Sequence, residues 1–552
     1  MTTAAARTIG IAAQTTDGRR LLLRPTPLAS GAEKIAFLTT DGREVVAFYF
    51  GALRDRAERV DRLRRIVSSY DPTRGAGAKY WRDAFCWPTG IVDGAQAVPV
   101  DFARAHSLAL PALGVVMPVY RSAFFMHDRF GNRVEKEVRW FTGRKAGALV
   151  VDAEKGSLLT RLQVCMRLAR AVRRLHFAGL AHSDLSNRNV LVDLRGGEAC
   201  VIDIDALVVP GLAPPTVLGT PGYMAPEVVA GAALPSIETD RHALAVLFHE
   251  LLLQRHPLRG RYVHSTFSAE ADEQLSMGVK ALFVEHSSDH RNRPDTPITV
   301  GVDALGPHLA PLMRRAFETA LHAPSRRPDA VEWEEAFYRT LERLMPTPSG
   351  RSWFVVTDRG PMVEPWTGER LHRPVPLLRS GRGVGESWRD DGITTALFHH
   401  RTLHEWHLDA DLRPREDVSR VPAAYTSFHD GAWWLVNITE RSWVASTGAV
   451  VAGGASVGAV VAAGVLQAAT SSVPAVRSVR APRDRMRMDL LLRIRTSCGT
   501  RCVRSLVGPR QYRFQCGTMS NVSGKDCTLD AFMRPDRPQR PDRSHHITRP
   551  PV

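Results

Sequence analysis

The order and spacing of a few polar residues in the middle of this chain constrain its fold more than any other feature. His182-Ser183-Asp184-Leu185 is followed by Asn189, then by Asp203-Ile204-Asp205, then by a run from Gly219 to Glu227 that closes on Ala225-Pro226-Glu227. The apolar run Ala199-Cys200-Val201-Ile202 reads as a buried strand that delivers Asp203. Upstream, residues 158–178 have the apolar spacing of an amphipathic helix closed by Gly179. Downstream, residues 243–253 are mostly apolar and so predict a buried helix. Toward the N-terminus, Ile35–Leu38 and Val45–Phe50 flank Asp41-Gly42, which predicts a β-hairpin. Residues 52–68 have helical spacing, with Leu53, Ala57, Val60, Leu63 and Val67 on one face. Ile91-Val92 and Val115-Val116-Met117 read as further strands.

In that order and with those gaps, the motifs resemble the signature of protein kinases across roughly residues 25–340. The resemblance is to bacterial Hanks-type Ser/Thr protein kinases. It implies a bilobal fold, ATP and Mg²⁺ as cofactors, and a hydroxyl of a protein substrate as acceptor, the chain itself among the candidates. Phosphoryl transfer asks for held phosphates, neutralised charge and an aimed hydroxyl more than for covalent chemistry. By resemblance, Asp184 is the catalytic base. Asn189 and Asp203 are the metal ligands, and Mg²⁺ suits such hard oxygens. Gly31 belongs to the nucleotide-covering loop. Met117 lies beside the adenine pocket, with Pro118 to Tyr120 as the hinge. Thr220 faces the catalytic loop, and Thr216 and Thr220 are candidate phosphorylation sites. Glu227 pairs with Arg327, and Asp240 accepts backbone N–H bonds from the catalytic loop; these three are structural.

The chain departs from the pattern in four places. Ser183 stands where many kinases carry an arginine that grips a phosphorylated activation loop, so this phosphorylation is not expected to be required. Ser186 replaces a lysine, with Arg188 as a candidate substitute. Asp205 replaces a glycine. The strand expected to carry the phosphate-binding lysine reads Val45-Val46-Ala47-Phe48-Tyr49-Phe50, with Phe48 or Tyr49 in its place. Lys34 falls at the third glycine of the nucleotide loop, which is similar to with-no-lysine kinases, where a lysine from that loop reaches into the site. Neighbouring strands lie about 4.8 Å apart, a gap a lysine side chain spans. Lys34 is therefore a catalytic and nucleotide-binding candidate, with Glu58 of the following helix as its expected partner.

After residue 345 the sequence changes character. Pro346 to Gly350 reads as a linker. Residues 351–445 hold Trp353, Trp366, Trp388, Trp406, Trp433, Trp434 and Trp443 among short strand-like runs. Ser427–Asn437 resembles part of the core of forkhead-associated phosphothreonine-binding domains, but lacks the Ser and His pattern that grips phosphate. Residues 444–476 carry no charge, yet their glycines and alanines favour strands over a membrane span. Of the net charge of +16, the last 83 residues (470–552) contribute 17 Lys and Arg against 6 Asp and Glu. Such a tail reads first as solvated and disordered, and second as a nucleic-acid contact. Cys498, Cys502, Cys516 and Cys527 do not match common zinc spacings. Few, scattered cysteines and an N-terminus without a long apolar stretch fit a cytoplasmic protein.

The expected fold class is α+β, a bilobal protein-kinase-like fold followed by a small β-rich domain and a disordered basic tail. Its divisions are an N-terminal extension (1–20), N-lobe (21–120), C-lobe (121–345), linker (346–350), β-rich module (351–475) and basic tail (476–552). The expected function is Ser/Thr protein kinase. The alternative is a nucleotide-binding pseudokinase that presents its C-terminal module to a partner. A small-molecule kinase is a further rival, disfavoured by the Ala-Pro-Glu block. Neither nucleic acid nor membrane is an expected main partner.

Overall fold

The computed structural model describes residues 10–215, 219–357, 363–371, 375–384, 387–408, 421–429, 432–438, 458–462, 465–469, 488–496 and 499–506. Among the described residues, a hairpin of β1 (Ile11–Gln14) and β2 (Arg20–Leu23) comes first, within and just after the segment expected as an extension. An antiparallel sheet comes next, built from β3 (Ala29–Ser30), β4 (Lys34–Leu38), β5 (Glu44–Tyr49), β6 (Gly90–Gly94) and β7 (Ala112–Pro118). Its spatial order is β3-β4-β5-β7-β6. Helices α1 (Arg56–Val67), α2 (Ala78–Ala84) and α3 (Val100–Ala105) accompany it.

The hairpin turn sets the register of this sheet. Thr39 Oγ1 and the Arg43 N–H both donate to Asp41 Oδ1, at 2.6 and 3.1 Å, and Gly42 takes the positive φ (72°) that a tight turn requires. Lys34 is thereby placed opposite Tyr49, and Ile35 opposite Phe48. Alternation along β5 does the rest. Val46 and Phe48 pack on one face with Phe37 and Phe102, while Tyr49 packs on the other with Val60, Leu63, Ile91 and Val115. Phe48 also explains Gly114, since a Cβ there would sit 2.8 Å from the Phe48 ring. Helix α1 buries Val60, Leu63 and Ile66 and leaves Ala57 exposed. It begins at Arg56, later than expected, so its buried stripe turns toward Ile66, while Leu53 and Val67 only border the core.

The helical part follows. A short hairpin of β8 (Phe125–His127) and β9 (Arg133–Glu135) leads to α4 (Arg144–Gly147) and α5 (Leu158–Phe177). The Ser157 hydroxyl caps α5 by accepting from the Thr160 N–H, and Gly179 leaves it at φ 74°. The hairpin β10 (Val190–Asp193) and β11 (Glu198–Val201) flanks the site. Then come α6 (Pro226–Val229), α7 (Ile237–Leu253), α8 (Ala269–Met277), α9 (Gly306–Arg314) and α10 (Ala330–Glu342). Every residue of α7 from Ala243 to His249 is buried, as its apolar run requires. Helix α10 lies on α5, held by Glu334, which takes hydrogen bonds from Arg170 and Arg173 at 2.7 and 2.6 Å. The sheet and the helical part meet through backbone: the Cys86 N–H donates to the Val201 carbonyl at 2.9 Å.

Beyond α10 the described residues are mostly strands: β12 (Leu344–Pro346), β13 (Trp353–Val355), β14 (Pro376–Val384), β15 (Ser387–Ala396) and β16 (Thr402–His404), then α11 (Glu405–Leu408) and β17 (Pro422–His429), β18 (Ala432–Asn437), β19 (Gly458–Ala462), β20 (Val465–Ala469), β21 (Met488–Thr496) and β22 (Gly499–Leu506). β12 and β13 form a hairpin, so the expected linker 346–350 includes its turn, with the Thr347 N–H donating to Ser352 O at 2.9 Å. Two larger sheets have the orders β15-β14-β21-β22 and β16-β17-β18-β20-β19. Most of the segment expected to be a disordered tail lies outside the described residues, as do Thr216, Trp443, Cys498, Cys516 and Cys527. Among the described residues, no helix is long and apolar enough to cross a membrane.

Candidate active site

The loop between α5 and β10 carries Asp184, and three sets of hydrogen bonds hold it. The buried Asp240 carboxylate, near the start of α7, accepts from the backbone N–H of His182 (2.6 Å) and of Ser183 (3.2 Å), with His176 Nε2 at 3.1 Å. His182 Nε2 meets the Ile202 carbonyl at 2.8 Å. Ser183 Oγ donates to the Ala206 carbonyl at 2.9 Å. The loop that carries Asp184 is thus tied to the segment that carries Asp203. Ser183 and Asp203 both take left-handed backbone, at φ 69° and 61°. Each costs on the order of 1 kcal/mol for a non-glycine residue, a strain that clusters at functional sites.

The Asp184 carboxylate has both oxygens aimed. Oδ2 accepts from Asn189 Nδ2 at 2.9 Å, and Oδ1 accepts from Thr220 N and Oγ1, each at 2.7 Å. Asn189 Nδ2 also donates to the Asp184 carbonyl at 2.8 Å. Gly219 precedes Thr220 at φ 114°, and its α-carbon is so close to Met224 and the Ser183 carbonyl that a Cβ would lie 3.1 and 3.3 Å from them. Glycine lets this loop approach Asp184.

Lys34 reaches across from β4. Its Nζ lies 2.6 Å from Asp203 Oδ1 and 2.9 Å from both oxygens of Asp205. Tyr49, opposite Lys34, donates its hydroxyl to Asp205. Of the two strand residues considered for the lysine position, Tyr49 faces the cleft and Phe48 faces away. Burial works against the Lys34 ammonium, but the Asp205 and Asp203 carboxylates outweigh it and hold its pKa well above the lysine range. Burial and the neighbouring Asp205 push the Tyr49 phenol up, so it remains a donor. Burial would raise Asp205, yet Lys34 and the Tyr49 hydroxyl keep it below the usual carboxylate range. Lys34 pulls Asp203 down, while burial and the Asp205 charge together push it above that range.

The other expected residues fall as follows. Glu58 is exposed on α1 and makes none of the Lys34 contacts; the helix residue that faces this cluster is Arg59, whose guanidinium lies 4.7 Å from the Tyr49 ring centre. The lysine is held by Asp203 and Asp205 instead. Gly31 is exposed in the β3–β4 turn, its N–H donating to the Lys34 carbonyl at 2.8 Å. Arg188 is exposed and Ser186 buried. Met117 is half-buried against Cys86, Leu191 and Cys200, with Tyr120 and Ile202 alongside, which makes an apolar surface at the end of β7. Glu227 and Arg327 form a two-pronged pair, both bonds 2.7 Å, below this loop. Sequence reasoning missed Asp205 and Tyr49 as members of the Lys34 cluster. The Asp-x-Asp alternation and the turn-fixed register were the available signals for these two. Hard oxygens at Asp203 and Asn189 suit Mg²⁺, which takes one or two protein ligands alongside phosphates and water.

The protein kinase domain family model matches residues 156–320, the stretch that holds Asp184, Asn189, Asp203 and Glu227. The chain contains a protein kinase domain. It is also 33% identical over 108 residues to proteins named dual serine/threonine and tyrosine protein kinase from Macaca mulatta, Mus musculus and Homo sapiens. That match covers 20% of this chain and 10–11% of those relatives, so the chain spans about a tenth of their length.

Proposed function

We propose that this chain is a Ser/Thr protein kinase of the bacterial Hanks type, transferring the γ-phosphate of ATP to protein hydroxyls, its own included. In this reading residues 21–120 are the N-lobe, joined by β1, and 121–345 the C-lobe, with residues 351–475 a β-rich module acting in the cytoplasm. The acceptor hydroxyl gives its proton to Asp184, its oxygen bonds to the γ-phosphorus, and the bond from that phosphorus to the β–γ bridging oxygen breaks. Asn189 and Thr220 hold Asp184 in the orientation that accepts the proton. Lys34 supplies positive charge toward the α- and β-phosphates. Asp203 and Asn189 would hold Mg²⁺, which would supply positive charge to the phosphates. Met117 offers the adenine an apolar surface.

The observation that carries this reading is the convergence of Lys34 on Asp203, with Asp184 aimed by Asn189 and Thr220. The test is mass spectrometry of the full chain and a mixed peptide pool after incubation with MgATP. Phosphate should appear on serine and threonine, and Asp184→Asn should abolish it. Phosphate on tyrosine alone overturns the specificity. A second reading, the nucleotide-binding pseudokinase, is favoured by Tyr49 in the strand position and by the engagement of Lys34 with both aspartates.

A further inference from the structure

Lys34 extends from a strand edge into a cleft, and something must hold its flexible four-carbon stem at one point. The expected holder was a carboxylate on α1, but Glu58 points to solvent. Arg59, the residue of α1 that reaches this side, carries the same charge as Lys34 and is engaged by Asp55 at 3.2 Å and Glu33 at 3.4 Å. The charge facing Lys34 comes instead from Asp205. Its side chain is 1% exposed, both its oxygens lie 2.9 Å from Lys34 Nζ, and Tyr49 donates to one of them. A buried carboxylate is retained only where it is paired and hydrogen-bonded. Asp205 meets both conditions, and among the described residues its side-chain partners Lys34, Tyr49 and Asp203 belong to β4, β5 and its own loop.

We infer that Asp205 is the positioning residue for Lys34, fixed by the Tyr49 hydroxyl, and that it takes over the duty a helix carboxylate would perform. Tyr49, in the strand position left without a lysine, is then part of the replacement: it keeps the Asp205 carboxylate turned toward Lys34. The consequence is regulatory. Because the lysine is held from the Asp203–Asp205 loop and the sheet, the placement of α1 does not decide whether Lys34 is in position. The loop does, so the lysine and the Asp203 metal ligand are set by one element. This rests on the kinase reading above, and the experiment separates the two.

Thermal unfolding of the full chain without nucleotide reads the contact by itself. Lys34→Met and Asp205→Asn should be non-additive, the double variant shifting the midpoint by less than the two single shifts together. Lys34→Met and Glu58→Gln should add. Steady-state kinetics then read its use: Asp205→Asn should raise KM for ATP and lower kcat/KM by about 10–10²-fold, the size expected on losing a charged hydrogen-bond partner, with Glu58→Gln unchanged. If Asp205→Asn does not fold, Tyr49→Phe replaces it, keeping both charges and removing one hydroxyl. A KM for ATP raised about 3-fold or more supports the inference, and an unchanged one overturns it. Additive midpoints for Lys34 and Asp205, or coupling of Lys34 to Glu58, also overturn it. So does an Asp205→Asn defect that excess Mg²⁺ restores, since that makes Asp205 a metal ligand. A wild-type chain that binds no ATP sinks the kinase reading, while the unfolding cycle still decides the Lys34–Asp205 pair.

Discussion

At the scale of single residues, the polar side chains of the site hold one another. Thr220 is the plainest case. Its hydroxyl and its N–H both donate to one oxygen of Asp184. Thr220→Val keeps the N–H contact and removes the hydroxyl, so turnover should fall about 10-fold while ATP affinity holds, since a hydrogen bond to a charged group is worth about 1.5–3 kcal/mol. Steady-state rates of the two chains check this, and an equal kcat would remove Thr220 from the orientation of Asp184. Its engaged hydroxyl also makes Thr220 a poor phosphate acceptor in this conformation. Structural residues at a fixed spacing were legible in the sequence: Asp240 accepts from the loop backbone, and Glu227 pairs with Arg327, as expected; Asp184 and Asn189 lie in hydrogen-bond contact, and Asp203 meets Lys34. Glu58 was not, because its expected role assumed that α1 supplies the lysine's partner. Only the three-dimensional placement of Asp205 removes that need.

At the scale of elements, capping and turn chemistry predicted the framework well. Asp41-Gly42 gave the hairpin, Gly179 the end of α5, and the apolar run from residue 243 the buried α7. The misjudged elements are those where tertiary contacts decide. Helix α1 starts at Arg56 and turns its stripe toward Ile66, and the proline-rich stretch at 346–350 folds back as a hairpin turn. The join of α6 to the start of α10 depends on Arg327, whose side chain is 1% exposed and bonds Glu227, the Glu238 carbonyl and the Leu321 carbonyl. Arg327→Ala leaves a carboxylate and two carbonyls without their donor. Breaking such a pair costs about 3–5 kcal/mol. Urea unfolding should show a midpoint lowered by an amount of that order, and a loss under about 1 kcal/mol would class the pair with weak surface bridges.

At the scale of the whole molecule, a buried carboxylate is one of the contacts that join the strands after α10 to the helical part. Glu342, at the end of α10, accepts from Thr395 Oγ1 (3.0 Å) and Arg401 (2.9 Å), with His407 Nε2 at 2.8 Å, while Tyr338 and Trp406 meet edge to face alongside. Burial would raise the Glu342 pKa, but Arg401 and His407 outweigh it and hold it at about 2. A carboxylate depressed by folding stabilises above its unfolded pKa and loses that contribution as pH falls toward the folded value. Protection of residues 395–407 from hydrogen exchange should therefore hold at neutral pH and decline from about pH 4.5 downward. Glu342→Ala should abolish that protection at pH 7; equal protection in both chains would mean that other contacts carry the docking. The central claim is that Lys34 and Asp184 together make this domain transfer phosphate. The most direct measurement is the initial rate of phosphate transfer from labelled MgATP by wild type, Lys34→Met and Asp184→Asn. Each variant should be slower by about 10²–10³-fold. If all three chains transfer at one equal background rate while still binding nucleotide, the account is contradicted.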